Sequence, residues 1–293
     1  MQSKKSFKRH AYGKINLYLD VLNKREDGYH NIRSVMQTVS LCDIITLNTE
    51  KSEENRIEIT CSDSSISCDK SNLVYKAWAA FLSEYRGECM NFSFYVEKNI
   101  PVSAGMAGGS ADAAATLHLI NEAYSFPFTE EELCEIGATV GADVAFCVKG
   151  GTCICEGIGE KLTRLPTFSG ITVVSAKDFS SVSTPKAFGM LDEKYGTDCT
   201  DSYDINKMVS AVIRKDVYGV CSLLYNKFEG VILPANEGVC HIKKILTDCG
   251  ASGVLMSGSG PSVFAIFDND VKAQMAVDEL RSDSIRASVC KTI

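Results

Sequence analysis

Between Pro101 and Tyr124 the chain reads PVSAGMAGGSADAAATLHLINEAY: small residues that pass directly into helical apolar spacing at Ala113, Leu117, Ile120 and Tyr124. Just before it, Phe92, Phe94 and Val96 alternate on one face and predict a strand over 91–96. A strand, a small-residue loop and a helix in that order leave few arrangements. The loop Gly105–Met106–Ala107–Gly108–Gly109–Ser110 lets a neighbouring group approach the backbone closely. The helix it opens starts with unpaired N–H groups and a partial positive charge. Such a start makes a phosphate cradle, although a tight strand-to-helix turn packed in a core reads the same way. The chain has no GxxxxGK[ST], which excludes the commonest phosphate loop, and no GxGxxG after a first strand, which argues against a dinucleotide fold.

The remaining pattern is mixed. Residues 56–60 alternate as a strand, and Thr129 opens a helix with Glu132 as its capping-box partner, ending near Gly141. GTCICEG, behind Gly150, reads as a short strand. Beyond Pro166, strands are predicted at 171–176, 254–257, 263–267 and 287–293, and helices at 204–228, 236–249 and 271–281. A soft boundary near residue 160 gives domains 1–160 and 161–293. Helices and strands mixed in both halves, with hairpin-length connections, predict an α+β fold rather than a doubly wound sheet.

A net charge of −7 with no basic cluster argues against nucleic-acid binding, but leaves room for an anion held by backbone N–H groups. No apolar run of about 18 residues is present, so no membrane span is expected. The basic segment from Met1 to Lys14 is not followed by the apolar stretch of a secretory signal, so a cytoplasmic setting is expected. The thirteen cysteines are scattered, and Cys153 and Cys155 have only Ile154 between them. Zinc sites use two spaced pairs, so free thiols in a reducing compartment are the reading.

Two charged residues are candidates for chemistry. In AYGKINLYLD, Ile15, Leu17 and Leu19 face one way, and Lys14, Asn16 and Tyr18 the other. That second face points either into a site or to solvent. Asp143, in GADVAF, sits where the helix from Thr129 ends and is either a turn residue or a catalytic carboxylate. Spacing alone does not bring Lys14 and Asp143 together.

Three segments, KINLYL, PVSAGMAGGSADAA and MSGSGPSVFAIF, resemble in order and spacing the three signature motifs of the GHMP kinases. The run from Lys24 to Asp43, with Asp27–Gly28–Tyr29–His30 at its core, resembles the branch whose substrate carries a cytidine diphosphate group. GADVAFCVKGGTCICEGIGE and the SVSTPKAF segment from Ser181 to Phe188 match that branch too.

The resemblance implies a two-lobed GHMP kinase fold. Its N-terminal lobe is similar to the ribosomal protein S5 domain 2-like fold and its C-terminal lobe is ferredoxin-like. It implies ATP and Mg²⁺, transfer of the γ-phosphoryl to a tertiary alcohol, and a small-molecule substrate with neither nucleic acid nor membrane involved, in a monomer or homodimer. By motif, Asp143 is the base and Lys14 stabilises the developing charge. Pro101, Gly105, Met106, Ala107, Gly108, Gly109 and Ser110 hold ATP, with Ser110 the candidate metal contact. Gly258, Ser259 and Gly260 form the third-motif loop. Asn16 contacts the substrate near its reacting hydroxyl, Tyr29 and Phe188 sandwich cytosine, and His30 reads the base edge. On residues alone, Tyr29 is equally a turn aromatic, Phe188 a core residue and the third loop a hairpin turn.

The middle motif is poorer in glycine than is usual in the family. Ser103, Ala104 and Ala107 stand in its glycine-rich part, and Ala111 replaces a serine. An alanine at positive φ is strained, so either Ala107 avoids that region or the loop is altered. Another GHMP kinase, or a nucleotide-binding relative without catalysis, is the competing reading.

Overall fold

The computed structural model describes residues 4–102, 104–177, 179–180, 182–197 and 204–293. Ser103 and Ser181, both in segments singled out above, lie outside the described residues. Two long strands open the chain: β1 (Lys5–Lys24) and β2 (His30–Lys51). Their turn is closed by Arg25 N–H on the Tyr29 carbonyl (2.7 Å) and by the Asp27 side chain accepting from Tyr29 N–H (3.0 Å), with Gly28 at φ +86°. Only glycine takes that backbone region without strain.

The described chain divides into two compact units. The first comprises Met1–Gly13, Cys42–Val102 and Ala107–Lys149; the second comprises Lys14–Leu41, Ser103–Met106 and Gly150–Ile293. In the first, β3 (Arg56–Cys61) runs parallel to β4 (Met90–Glu97), and β4 pairs antiparallel with β2 over Ile44–Lys51. Helices α1 (Leu73–Glu84), α2 (Gly108–Ala123), α3 (Glu130–Val140) and α4 (Val144–Lys149) complete it. Phe81, Phe92, Phe94, Leu117 and Ile120 are buried in one shared core. The capping box forms as expected: Thr129 accepts from Glu132 N–H, and the Glu132 carboxylate accepts from Thr129 N–H. Helix α2 is buried on nearly all sides, which is why it is built from alanine: small side chains let α1 and α4 come close.

In the second unit β5 (Thr152–Gly157) pairs antiparallel with β2 over Ile32–Gln37 and with β6 (Lys161–Leu165). A separate sheet holds β7 (Thr172–Lys177), β9 (Gly253–Met256), β10 (Val263–Phe267) and β11 (Arg286–Lys291) in the order β11-β7-β10-β9, all antiparallel. Helices α9 (Glu237–Asp248) and α10 (Asp270–Ser282) pack on it. The β7-α9-β9-β10-α10-β11 succession with that strand order is ferredoxin-like, inside the expected α+β class.

One expectation is corrected. Residues 204–228 are not a single helix but α6 (Ile205–Ile213), α7 (Val217–Ser222) and the short β8 (Tyr225–Asn226), which runs parallel to β1 at Tyr18 and Leu19. Lys215 takes φ +54° and the Asp216 side chain caps α7, so the chain turns between the two helices. Helix α5 (Thr184–Tyr195), capped by Ser183, and the single turn α8 (Glu229–Ile232) complete the unit. Among the described residues no helix is long and apolar enough to cross a membrane.

Candidate active site

Strand β1 carries Lys14 and Asn16 on a sealed face, not a solvated one; they are 3% and 1% exposed. Lys14 Nζ donates to Asn16 Oδ1 (2.8 Å), Asn16 Nδ2 donates to Ser34 Oγ (2.8 Å), and Ser34 Oγ donates to the Tyr18 carbonyl (2.6 Å). A buried ammonium is stable only when bonded to acceptors, and this chain supplies one while fixing the rotamer of Asn16.

The three motifs meet inside the second unit. Lys14 N–H donates to the Met106 carbonyl (3.1 Å), joining the first motif to the second. Ser257 Oγ donates to the Gly105 carbonyl (3.0 Å), joining the third to the second. There is no room for side chains at that junction: a Cβ on Gly105 would lie 2.1 Å from the Ser257 carbonyl oxygen, and one on Gly258 3.0 Å from the Gly105 oxygen. Gly105, Gly258 and Gly260 all have positive φ. Asn226 Nδ2 ties down the Met256 and Gly258 carbonyls (2.7 and 2.8 Å), Ser259 Oγ shares a hydrogen bond with Thr184 Oγ1 (2.9 Å), and Met106 is buried against Ser175.

In the first unit, Ala107 is the N-cap of α2 at φ +56°, ψ +33°, with no side chain capping the helix. The possibility that Ala107 avoids positive φ is thereby corrected: it accepts the left-handed region, at about 1–2 kcal/mol for an L-residue. Gly108 and Gly109 are pressed on Ile100 and Leu73, where an added Cβ would come to 3.1 Å in each case. Pro101 and Ser110 are partly buried, and Ala111 is sealed in the core. Asp143 lies past the end of α3, whose C-cap is Gly141, and its carbonyl accepts from Cys147 N–H (3.0 Å), so it opens α4 rather than closing α3.

Sequence reading missed a buried charge cluster one turn into α2. Lys98 Nζ bonds the Asp43 carboxylate and Asp112 Oδ2 (2.7 Å), and Asp43 Oδ1 accepts from the N–H groups of Asn99 and Ile100 (2.5 and 2.8 Å). Asp43 is fully sealed and Asp112 is 6% exposed. Desolvation pushes the Asp112 carboxyl up to about 7 against the pull of Lys98, with Asp43 adding to the rise. One ammonium neutralises one carboxylate, so the second keeps its proton far longer than usual. The only signal available was an acidic residue inside an alanine-rich helix. The cluster fixes the approach to α2 from β4.

The aromatic group lies in the second unit. His30 stacks on Phe188 with centroids 4.6 Å apart and planes 17° from parallel, while Phe228 meets Phe188 edge-on at 5.0 Å. Phe188 and Asp192 are four residues apart on α5 and so share a face. Asp192 Oδ1 is 2.7 Å from His30 Nε2, and Asp192 Oδ2 accepts from Lys24 Nζ (2.6 Å). Tyr29 stands beside this group in sequence and is 60% exposed. The stack present is thus His30 on Phe188, with Tyr29 at the base of the turn, where its carbonyl accepts from Arg25 N–H.

Residues 72–151 match the family model of the GHMP kinases N terminal domain, and residues 208–285 that of the GHMP kinases C terminal domain. With three motifs meeting at Gly105–Met106, these define the class: a GHMP small-molecule kinase. A 4-diphosphocytidyl-2-C-methyl-D-erythritol kinase of Clostridium kluyveri is 42% identical over 284 residues, covering 97% of this chain and 99% of the relative. One of Caldicellulosiruptor bescii is 44% identical over 271 residues, covering 92% and 93%. A crystal structure of 4-(cytidine 5'-diphospho)-2C-methyl-D-erythritol kinase superposes with a TM-score of 0.80 at 27% identity, covering 98% of this chain and 99% of that one. The chain belongs to the 4-diphosphocytidyl-2-C-methyl-D-erythritol kinase family.

Proposed function

We propose that this chain transfers the γ-phosphoryl of ATP to the C2 hydroxyl of 4-diphosphocytidyl-2-C-methyl-D-erythritol, giving the 2-phosphate and ADP, a step toward isoprenoid precursors. The observation that carries the reading is the junction at Gly105–Met106, where one backbone segment receives both Lys14 N–H and Ser257 Oγ. A kinase needs its phosphate loop fixed against the residue that meets the transferred charge, because phosphoryl transfer depends on positioning and electrostatics.

In this reading the uncapped N–H groups of α2 receive phosphate oxygens. Lys14 stabilises charge on the attacking oxygen and the phosphoryl group, and Asn16, held by Ser34, orients the alcohol. Asp143 takes the hydroxyl proton. Among the described residues no group of three His, Cys, Asp or Glu is placed to hold a metal ion. The loop's own donors are N–H groups and the Ser110 hydroxyl, so Mg²⁺ would sit chiefly on phosphate oxygens with Ser110 as the protein contact. It would neutralise phosphate charge there. Tyr29 and Phe188 supply aromatic faces for cytosine, and His30 its edge. The lobes are taken as 1–160 and 161–293, with one family model on each side, and the setting as cytoplasmic, in a monomer or homodimer.

The test is ADP release with Mg-ATP, comparing the cytidyl compound with mevalonate, homoserine and galactose. Turnover of the cytidyl compound alone is expected. Turnover of another alcohol instead would keep the kinase and discard the cytosine site, and nucleotide binding without turnover would favour a noncatalytic relative.

A further inference from the structure

We infer that Asp192 is a positioning residue that sets which nitrogen of His30 carries the proton, and thereby makes this site choose cytosine over uracil. The inference rests on the cytosine-site reading above and deepens it. A 4.6 Å separation at 17° is an offset stack, so His30 covers only part of the face of Phe188. A base laid on the rest of that face lies in the same layer as His30. Its edge then meets the edge of the imidazole in plane, the geometry a ring-to-ring hydrogen bond requires.

A carboxylate only accepts, so His30 Nε2, 2.7 Å from Asp192 Oδ1, is the donor. Burial alone would raise the Asp192 carboxyl, but the hydrogen bonds from Lys24 and His30 outweigh it and hold the group below the usual carboxylate range. Asp192 is therefore a charged acceptor at neutral pH. With its proton on Nε2, a neutral imidazole offers Nδ1 as an acceptor. Cytosine presents its N4 amino group as a donor, where uracil presents the O4 oxygen. An accepting Nδ1 pairs with the first and faces a lone pair on the second. Stacking does not tell the two bases apart, so this bond carries the choice.

Asp192→Asn tests it. The Lys24 ammonium only donates, so the amide oxygen turns to Lys24 and the amide NH₂ faces His30 Nε2. That nitrogen must then accept, and the ring proton moves to Nδ1. The kcat/KM ratio for the cytidyl over the uridyl compound should fall at least tenfold, through KM. The ¹⁵N spectrum of the imidazole should change from the Nε2–H to the Nδ1–H pattern, a readout simplified by the presence of four histidines in the chain. Asp192→Glu, which keeps a carboxylate, should recover part of the preference. Equal losses on both substrates would make Asp192 a mere strut for α5 and overturn the inference. So would a wild-type ring protonated at Nδ1, or an unchanged ratio after the proton has moved. A wild-type enzyme indifferent to the base also overturns it, and an Nε2–H spectrum would then place the fault in the cytosine site, not in the Asp192–His30 pair.

Discussion

Ser257 donates its hydroxyl to the carbonyl of Gly105 at 3.0 Å, and its own carbonyl oxygen occupies the space where a side chain on Gly105 would begin. Gly105→Ala therefore meets two obstacles, a Cβ contact at 2.1 Å and a φ of +69°. It should lose about 2–3 kcal/mol of stability and raise KM for ATP. Thermal unfolding and ATP kinetics check this; a variant normal in both would mean that the junction is looser than it looks.

Ala107 gives the opposite expectation. Ala→Gly inside a helix normally destabilises, but at this N-cap glycine relieves the left-handed strain of about 1–2 kcal/mol against an entropic loss of roughly 0.5–1 kcal/mol. Ala107→Gly should be neutral or stabilising by up to about 1 kcal/mol. A urea midpoint clearly below wild type would contradict this.

Asp112 makes a pH prediction. Folded, its carboxyl holds its proton up to about pH 7; unfolded, it releases it near 4. Between those values the native state binds more protons, so stability falls as pH rises, by up to about 1.4 kcal/mol per pH unit. Asp112→Asn removes that slope, so the variant should gain on wild type from pH 5 to pH 8 in urea unfolding. A constant difference between the two proteins across that range would refute the assignment.

For the chemical step, Asp143→Asn should lower kcat by roughly two to four decades, and Lys14→Met should also act mainly on kcat. Since Lys14 is buried and bonded to Asn16, circular dichroism must first show the variant folded. Near-normal turnover of Asp143→Asn would exclude its role as the base.

What the sequence made legible was local. The capping box at Thr129 and the alternation of Phe92, Phe94 and Val96 are each written in a few neighbouring residues, and each formed, whereas the helix expected from Ser110 onward already begins at Gly108. The break at Lys215 was hidden because a lysine, not a glycine or proline, takes the left-handed turn. Helix α1 escaped notice although Val74, Ala77 and Phe81 carry its buried stripe. The Asp43–Lys98–Asp112 cluster joins residues 55 and 14 positions apart, beyond any periodic signal. The Asp192–His30 bond, 162 positions apart, is of the same kind.

The interleaving of the two units has a consequence during synthesis. Every segment of the first unit is available once Lys149 has emerged, whereas the second needs residues from Lys14 through Ile293. The β2 edge at Ile32–Gln37 has no partner until Thr152–Gly157 is made. At the ribosome's pace of about 5–20 residues per second, that edge waits on the order of ten seconds. An unpaired strand edge is a template for wrong association, so the stretch beginning at His30 is one that a nascent chain of this enzyme must keep from pairing wrongly until β5 emerges.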